Sequence, residues 1–299
     1  MTASTEAHEF AEFLASVSAK SATPGLDLSV IRDIVDSNHK ASTEPEDVTY
    51  AEVDANGVPA LWAIPEGADP DKVLLHLHFG GSVTASMHSD RKAPGHIAKA
   101  AGARSLVVDF RLAPEHPYPA QLDDVETAYR RLLTQGHEPH NIGSTGHSIG
   151  GTLAILLPLR QLANSEPTPG AIVSLSPWTD LTLHNKSMDT NEANDKMLSR
   201  NTLELFRDAW IPDPTLDPAD PQTSIANADL TGLPPTLVYH GEHETLADDG
   251  THLADAKVTS ETHTLPEGQH PFILAAGSVP EANEAITKIG NWLHTHLNN

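Results

Sequence analysis

The sequence contains no cysteine. That absence removes disulfides, thiolate zinc sites and a cysteine nucleophile together. Basic residues are scarce, 18 Lys and Arg against 41 Asp and Glu, for a formal charge of −23. Such an excess repels nucleic-acid phosphates and anionic membrane surfaces, and favours neutral or cationic small substrates. No apolar run approaches the length of a membrane span. The start, Met1 to Glu6, lacks both a basic segment and an apolar core, so no signal peptide is expected and the expected compartment is the cytoplasm. Internal repeats and low-complexity stretches are absent as well.

What is present is an alternation of β-like and α-like segments over 299 residues, enough for a single α/β core with appended elements. Residues 1–45 carry two amphipathic stripes, Phe10, Phe13, Leu14, Val17 and then Leu28, Ile31, Ile34, Val35, at helical spacing. Val48 to Ile64 reads as two strands around the turn Asp54-Ala55-Asn56-Gly57, with Pro59 marking the second as an edge or irregular strand. Buried strands follow at 72–79 and 105–110 and further strands at 171–175, 236–239 and 258–265, with helices between them and a last helix through Ile286, Ile289, Leu293 and Leu297. Near-continuous apolar strands alternating with helices predict a mostly parallel sheet covered on both faces. Residues 181–227 lose this rhythm and read as an inserted, mainly helical cap, and residues 1–45 either join that cap over the active site or cover the outside of the core.

The organising motif is Gly146-His147-Ser148-Ile149-Gly150-Gly151, between a β-like run at 141–145 and a helical stretch. Strand, sharp turn and helix give Gly-x-Ser-x-Gly its meaning: the serine is lifted clear of the sheet, and flanking glycines leave room for the strained turn. Pro158 inside the following helix is expected to kink it, at about 3 kcal/mol if unrelieved. The Ile149 N–H opens that helix and faces the place where an oxyanion would form. Serine acyl transfer also needs a base, an acid that orients it, and further oxyanion donors, with serine, acid and histidine in that chain order. His270 in Gly268-Gln269-His270-Pro271-Phe272 is the candidate base. Glu244 is the candidate acid, with Glu242, Asp248 and Asp249 close by. The N–H groups of Gly80 and Gly81, after a buried strand, complete the candidate oxyanion hole with Ile149.

Together, Leu77-His78-Phe79-Gly80-Gly81, the run from Asp109 to Ala120, Gly146 to Gly151, Ser176 to Leu181 and Gly232-Leu233-Pro234-Pro235 resemble the hormone-sensitive-lipase-like branch of the α/β-hydrolases, from about Leu74 to Phe272. The resemblance implies an eight-stranded α/β-hydrolase core, a helical cap, carboxylesterase chemistry without a cofactor, and often a homodimer. Departures from that family's pattern fall at Phe79 in place of a glycine, at Ser82 in place of an aromatic residue, and at His147 in place of the aspartate before the serine. Glu244 replaces the usual aspartate, and Pro271-Phe272 follows the histidine. Phe79, Ser82, His147 and Phe272 are therefore the candidate substrate-contacting residues.

His76 and His78 lie two apart on a strand, a spacing that can bind metal. With no third ligand nearby, none is expected. Asp109, Arg111, Glu115 and His116 read as a charged structural cluster, and Trp178 and Asp180 as packing and loop-closing residues. The leading expectation is a serine carboxylester hydrolase. The same apparatus would serve a lactone or an N-acetyl amide, and the non-enzymatic alternative is a ligand-binding protein on a hydrolase frame.

Overall fold

The computed structural model describes residues 3–255 and 261–297. Its centre is an eight-stranded sheet: β1 (Val48–Asp54), β2 (Pro59–Pro65), β3 (Val73–Leu77), β4 (Arg104–Val108), β5 (Ile142–His147), β6 (Ala171–Leu175), β7 (Thr236–Gly241) and β8 (Glu261–Leu265). The spatial order is β1-β2-β4-β3-β5-β6-β7-β8. The β1–β2 and β2–β4 pairs are antiparallel and all others parallel. Every residue of β3 and β6 is buried, as a strand covered on both faces requires. Side-chain alternation divides β3 between two cores: Val73, Leu75 and Leu77 enter one hydrophobic cluster and Leu74 the other.

Ten helices surround the sheet among the described residues: α1 (Thr5–Ser21), α2 (Leu28–Asp36), α3 (Met87–Asp90), α4 (Lys92–Ala101), α5 (Ala120–Thr134), α6 (Ile149–Ala163), α7 (Ser187–Thr190), α8 (Arg200–Trp210), α9 (Ala247–Asp255) and α10 (Pro280–His296). Side chains of α5 and α6 fill the first cluster, and those of α1, α4 and α10 the second. Helix α1 is capped by Ser4, whose hydroxyl accepts from the Ala7 N–H and donates to Glu281 on α10 at 2.8 Å. Arg32 on α2 donates to the carbonyls of Val83 and Ala113, and Ser18 on α1 to that of Met197. The N-terminal pair thus spans the loop after β3 and the segment between β6 and β7.

The packing bears on several sequence expectations. Pro59 does not mark an edge: β1 is the edge strand, and β2 pairs on both sides. The proline is tolerated because it stands at the strand's first position, before pairing with β4 begins at Ala60, and its carbonyl still accepts from Asp109 N–H. Helix α6 runs on through Pro158 for five further residues to Ala163. The charged cluster divides among separate partners: Asp109 accepts from the Met87 N–H, Arg111 grips Asp124, and Glu115 pairs with Arg32. Trp178 is fully buried and donates to the Asp180 carbonyl. Of the expected strand at 258–265, residues 258–260 lie outside the described residues.

Candidate active site

Ser148 links β5 to α6 with φ +58° and ψ −127°, a conformation costing about 1–3 kcal/mol for a residue with a side chain. Its N–H is held by the Leu175 carbonyl on β6 at 2.9 Å. The flanking glycines have a steric cause. A Cβ on Gly146 would stand 2.8 Å from the Leu77 carbonyl oxygen, and one on Gly150 would collide with that same carbonyl. The end of β3 is packed so tightly under the turn that only bare backbone fits.

Three side chains far apart in the chain converge there. His270 Nε2 lies 3.0 Å from Ser148 Oγ, and His270 Nδ1 lies 3.1 Å from Glu244 Oε2. The other Glu244 oxygen accepts from the Ser176 hydroxyl and the Gly241 N–H, each at 2.6 Å. Neighbouring acids are engaged elsewhere: Glu242 accepts from Glu267 N–H, Asp248 from Ser187 N–H, and Asp249 from Thr179, Asp180 and Asn185. Ser148 is 6% exposed, His270 2% and Glu244 0%. Burial pushes the Glu244 carboxyl up against the pull of Ser176, His240 and Gly241. Burial also pulls the His270 imidazole down, the charge of Asp195 opposing and that of His147 assisting. An imidazole kept neutral, with its Nδ1 proton facing a carboxylate, leaves Nε2 free to accept the serine proton.

Beside the hydroxyl, the N–H of Ile149 opens α6, and Gly80 and Gly81 have φ +105° and +63°. Among the described residues the N–H groups of Gly80 and Gly81 donate to no protein acceptor. The Gly80 carbonyl accepts from the N–H groups of Val83 and Thr84, which closes the loop into a tight turn. Phe206 of α8 presses on Gly81, where a Cβ would stand 2.9 Å from the phenylalanine Cβ. This contact brings the segment between β6 and β7 to the rim of the site. Sequence reasoning missed Phe206, because its amphipathic helix gives no sign of which surface it meets.

The four candidate substrate-contacting residues separate. His147 is fully buried with Nε2 at 2.8 Å from both Asp90 oxygens, so it faces an internal carboxylate rather than a ligand. Phe272 packs its ring against Tyr239 in the second core cluster, a packing role behind His270. Phe79 is buried with its ring tilted against His147. Ser82 has φ +63°, and its buried hydroxyl has no partner among the described residues. The metal argument also needs correcting. His78 lies beyond the end of β3, stacked on Phe110, whereas His76 meets Asp90 and His147, which places a third ligand type beside it after all. Its contacts with Asp90 and those of His147 are 2.8–3.0 Å, hydrogen-bond lengths. Tetrahedral coordination at about 2.0–2.1 Å would hold such donors roughly 3.3 Å apart.

A family model described as the α/β-hydrolase fold matches residues 74–274. The chain belongs to the α/β-hydrolase family. This hydrolase is 33% identical over 298 residues to an acetyl-hydrolase of Streptomyces hygroscopicus, covering 92% of the chain and 97% of the relative. It is 34% identical over 231 residues to an esterase of Acinetobacter venetianus, covering 75% of each. A crystal structure of an esterase from the bacterial hormone-sensitive lipase family superposes with a TM-score of 0.93 at 34% identity, covering 99% of this chain and all of that one. The hydrolase therefore stands in the hormone-sensitive-lipase-like branch and is a carboxylic ester hydrolase. No helix among the described residues is long and apolar enough to cross a membrane.

Proposed function

We propose that this hydrolase cleaves small or short-to-medium acyl esters through an acyl-enzyme on Ser148. The observation that carries the reading is the single imidazole of His270 bridging the Ser148 hydroxyl at 3.0 Å and the Glu244 carboxylate at 3.1 Å. His270 Nε2 takes the Ser148 proton as Oγ bonds to the substrate carbonyl carbon, and the carbonyl π pair moves onto oxygen. The N–H groups of Gly80, Gly81 and Ile149 receive that oxyanion. Collapse breaks the bond to the alcohol, which leaves with the proton from Nε2. Water then gives a proton to His270 and attacks the acyl carbon; the second collapse returns the proton to Ser148 Oγ and frees the acid.

Residues 1–45 and 181–227 act as the cap over this centre. Phe206 narrows the space beside Gly81, which supports short acyl groups, and the acetyl-hydrolase relative points the same way. Acetate and butyrate nitrophenyl esters, a lactone and an aryl acetamide form the panel that ranks the substrates. On the preferred ester, Ser148→Ala is expected to lower kcat by about 10,000-fold or more. Unchanged turnover in that variant would overturn the assignment.

A further inference from the structure

We propose that Asp90 is a positioning residue for the oxyanion hole, a buried carboxylate that ties the Gly80–Gly81 loop and the serine turn to the strand beneath them. The inference rests on the reading of Ser148 as nucleophile and goes beyond it by naming what sets the distance between the two sources of backbone donors.

Asp90 ends α3, the short helix that closes the loop leaving β3, and it is 1% exposed. Its oxygens face two imidazoles from different elements, His147 Nε2 at 2.8 Å and His76 Nε2 at 3.0 Å. His147 immediately precedes Ser148, so the carboxylate's hold on its ring restrains the backbone that carries the nucleophile and the Ile149 N–H. His76 belongs to β3, and its Nδ1 lies 2.9 Å from the hydroxyl of Thr145, its register partner on β5. With Nε2–H donating to the carboxylate, Nδ1 accepts from that hydroxyl, which fixes the ring. Burial opposes ionisation of Asp90, but the two imidazoles outweigh it and hold the carboxyl well below the ordinary carboxylate range.

The loop between the donors and this anchor is internally tied. Val83 and Thr84 N–H groups return to the Gly80 carbonyl, Ser86 and Ser89 form a reciprocal cap on α3, and the Met87 N–H donates to Asp109. Gly80 at one end and Asp90 at the other therefore move as one body. Releasing the carboxylate frees that body relative to the turn carrying Ile149. A shift of about 1 Å in such donors is enough to cost up to 100-fold in rate.

The test uses the whole chain and compares Asp90→Asn, His76→Gln and the exchange variant Asp90→His with His147→Asp, each checked for folding by its thermal transition. Asp90→Asn is expected to lower kcat on p-nitrophenyl acetate by about 10- to 100-fold with KM little changed. Affinity for a trifluoromethyl ketone, whose serine adduct carries the oxyanion, should fall in parallel. The exchange variant restores the carboxylate–imidazole pair and should recover part of the loss. Should Asp90→Asn fail to fold, His76→Gln, which leaves His147 on the carboxylate, decides the matter through the same kcat and ketone readouts. The proposal is overturned if folded variants keep wild-type kcat, if KM alone changes, or if kcat falls while ketone affinity holds. Loss of wild-type activity to a chelator would overturn it too, by making the cluster a metal site. Wild-type protein that neither hydrolyses esters nor reacts with a fluorophosphonate would instead remove the underlying reading of Ser148.

Discussion

Two carboxylate–imidazole pairs flank Ser148, and they differ in what the second ring nitrogen meets. In Glu244–His270, Nδ1 faces the carboxylate and Nε2 faces the serine hydroxyl. In Asp90–His147, Nε2 faces the carboxylate, and Nδ1 is buried without a partner among the described residues. Burial does not separate them, since all four side chains are at most 3% exposed. Supporting contacts do. Glu244 is braced by Ser176 and Gly241 at the ends of β6 and β7, so its imidazole partner projects toward the nucleophile. Asp90 spends both oxygens on imidazoles below the turn. On the proposed reading, one pair delivers a proton acceptor and the other holds backbone in place.

The largest effect that tests this contrast comes from Glu244→Gln. An amide N–H facing Nδ1 favours the wrong imidazole tautomer, and a loss of about 10,000-fold in kcat is expected with the fold intact. Glu244→Asp keeps the charge but shortens the reach to His270 by one methylene, so a loss of roughly 10- to 100-fold is expected. Stopped assays on both variants, with Glu242→Gln and Asp248→Asn as comparators, check the order. A larger loss at either comparator would break the contrast, because those carboxylates sit on Glu267 and Ser187 N–H groups.

An intermediate effect is expected on the anchoring side from Thr145→Val. The change removes the hydroxyl that meets His76 Nδ1 while nearly preserving shape, leaving a buried acceptor unpaired. The expected cost is about 1–3 kcal/mol of folding stability, measured by denaturant unfolding. A stability loss without any loss of kcat would show that the anchoring pair supports the fold alone. For scale, Arg130→Ala, which breaks an ion pair with Glu126 and Glu166 at a half-exposed side chain, should cost about 0–1 kcal/mol.

The two pairs were not equally legible in the sequence, and the reason is physical. Ser148 and His270 each follow a strand, and a parallel sheet delivers such positions to one rim, so chain order alone brings them together. Glu244 needed more, since four acids crowd the eight residues from Glu242 to Asp249, two on the loop and two in the first turn of α9; only the side-chain contacts separate them. Asp90 carries no local sign. It meets His147 across 57 positions, through the β3–β5 register and the path of a loop over the sheet end. His76 and His78 show how periodicity misleads at a strand's end: β3 stops at Leu77, and alternation does not extend to the next residue. Pro59 misled through propensity, which ranks a proline by the ladder bond it lacks without knowing that pairing to β4 starts one residue later. The stretch between β6 and β7 reads as a helical cap, but its contacts through Phe206 and Asp195 follow from tertiary packing that no spacing encodes.

Asp195 yields the smallest effect and the finest probe of the proton-accepting pair. Its buried carboxylate accepts from the N–H groups of Met197, Leu198 and Thr245 and from the Thr245 hydroxyl, one residue from Glu244. The groups whose charge bears on His270 are Asp195, which favours the imidazolium, and His147, which disfavours it, with Glu244 in direct contact. Hydrolysis needs His270 neutral, and burial holds it below the usual imidazole value of 6.5. The acid limb of kcat/KM should therefore have its midpoint below pH 6.5, with full activity retained at neutral pH. Burial raises the Asp195 carboxyl above its ordinary value; over the range in which it is ionised, Asp195→Asn removes a negative charge that favours protonation, so the midpoint should move further toward acid, by up to about one pH unit. Relative to its own plateau, the variant would then be more active than the wild type at mildly acidic pH. A midpoint that moves toward neutrality instead would mean that the imidazolium loses less from burial than it gains from its surroundings, and that the contrast between a proton acceptor and a hydrogen-bonded anchor is drawn at the wrong place.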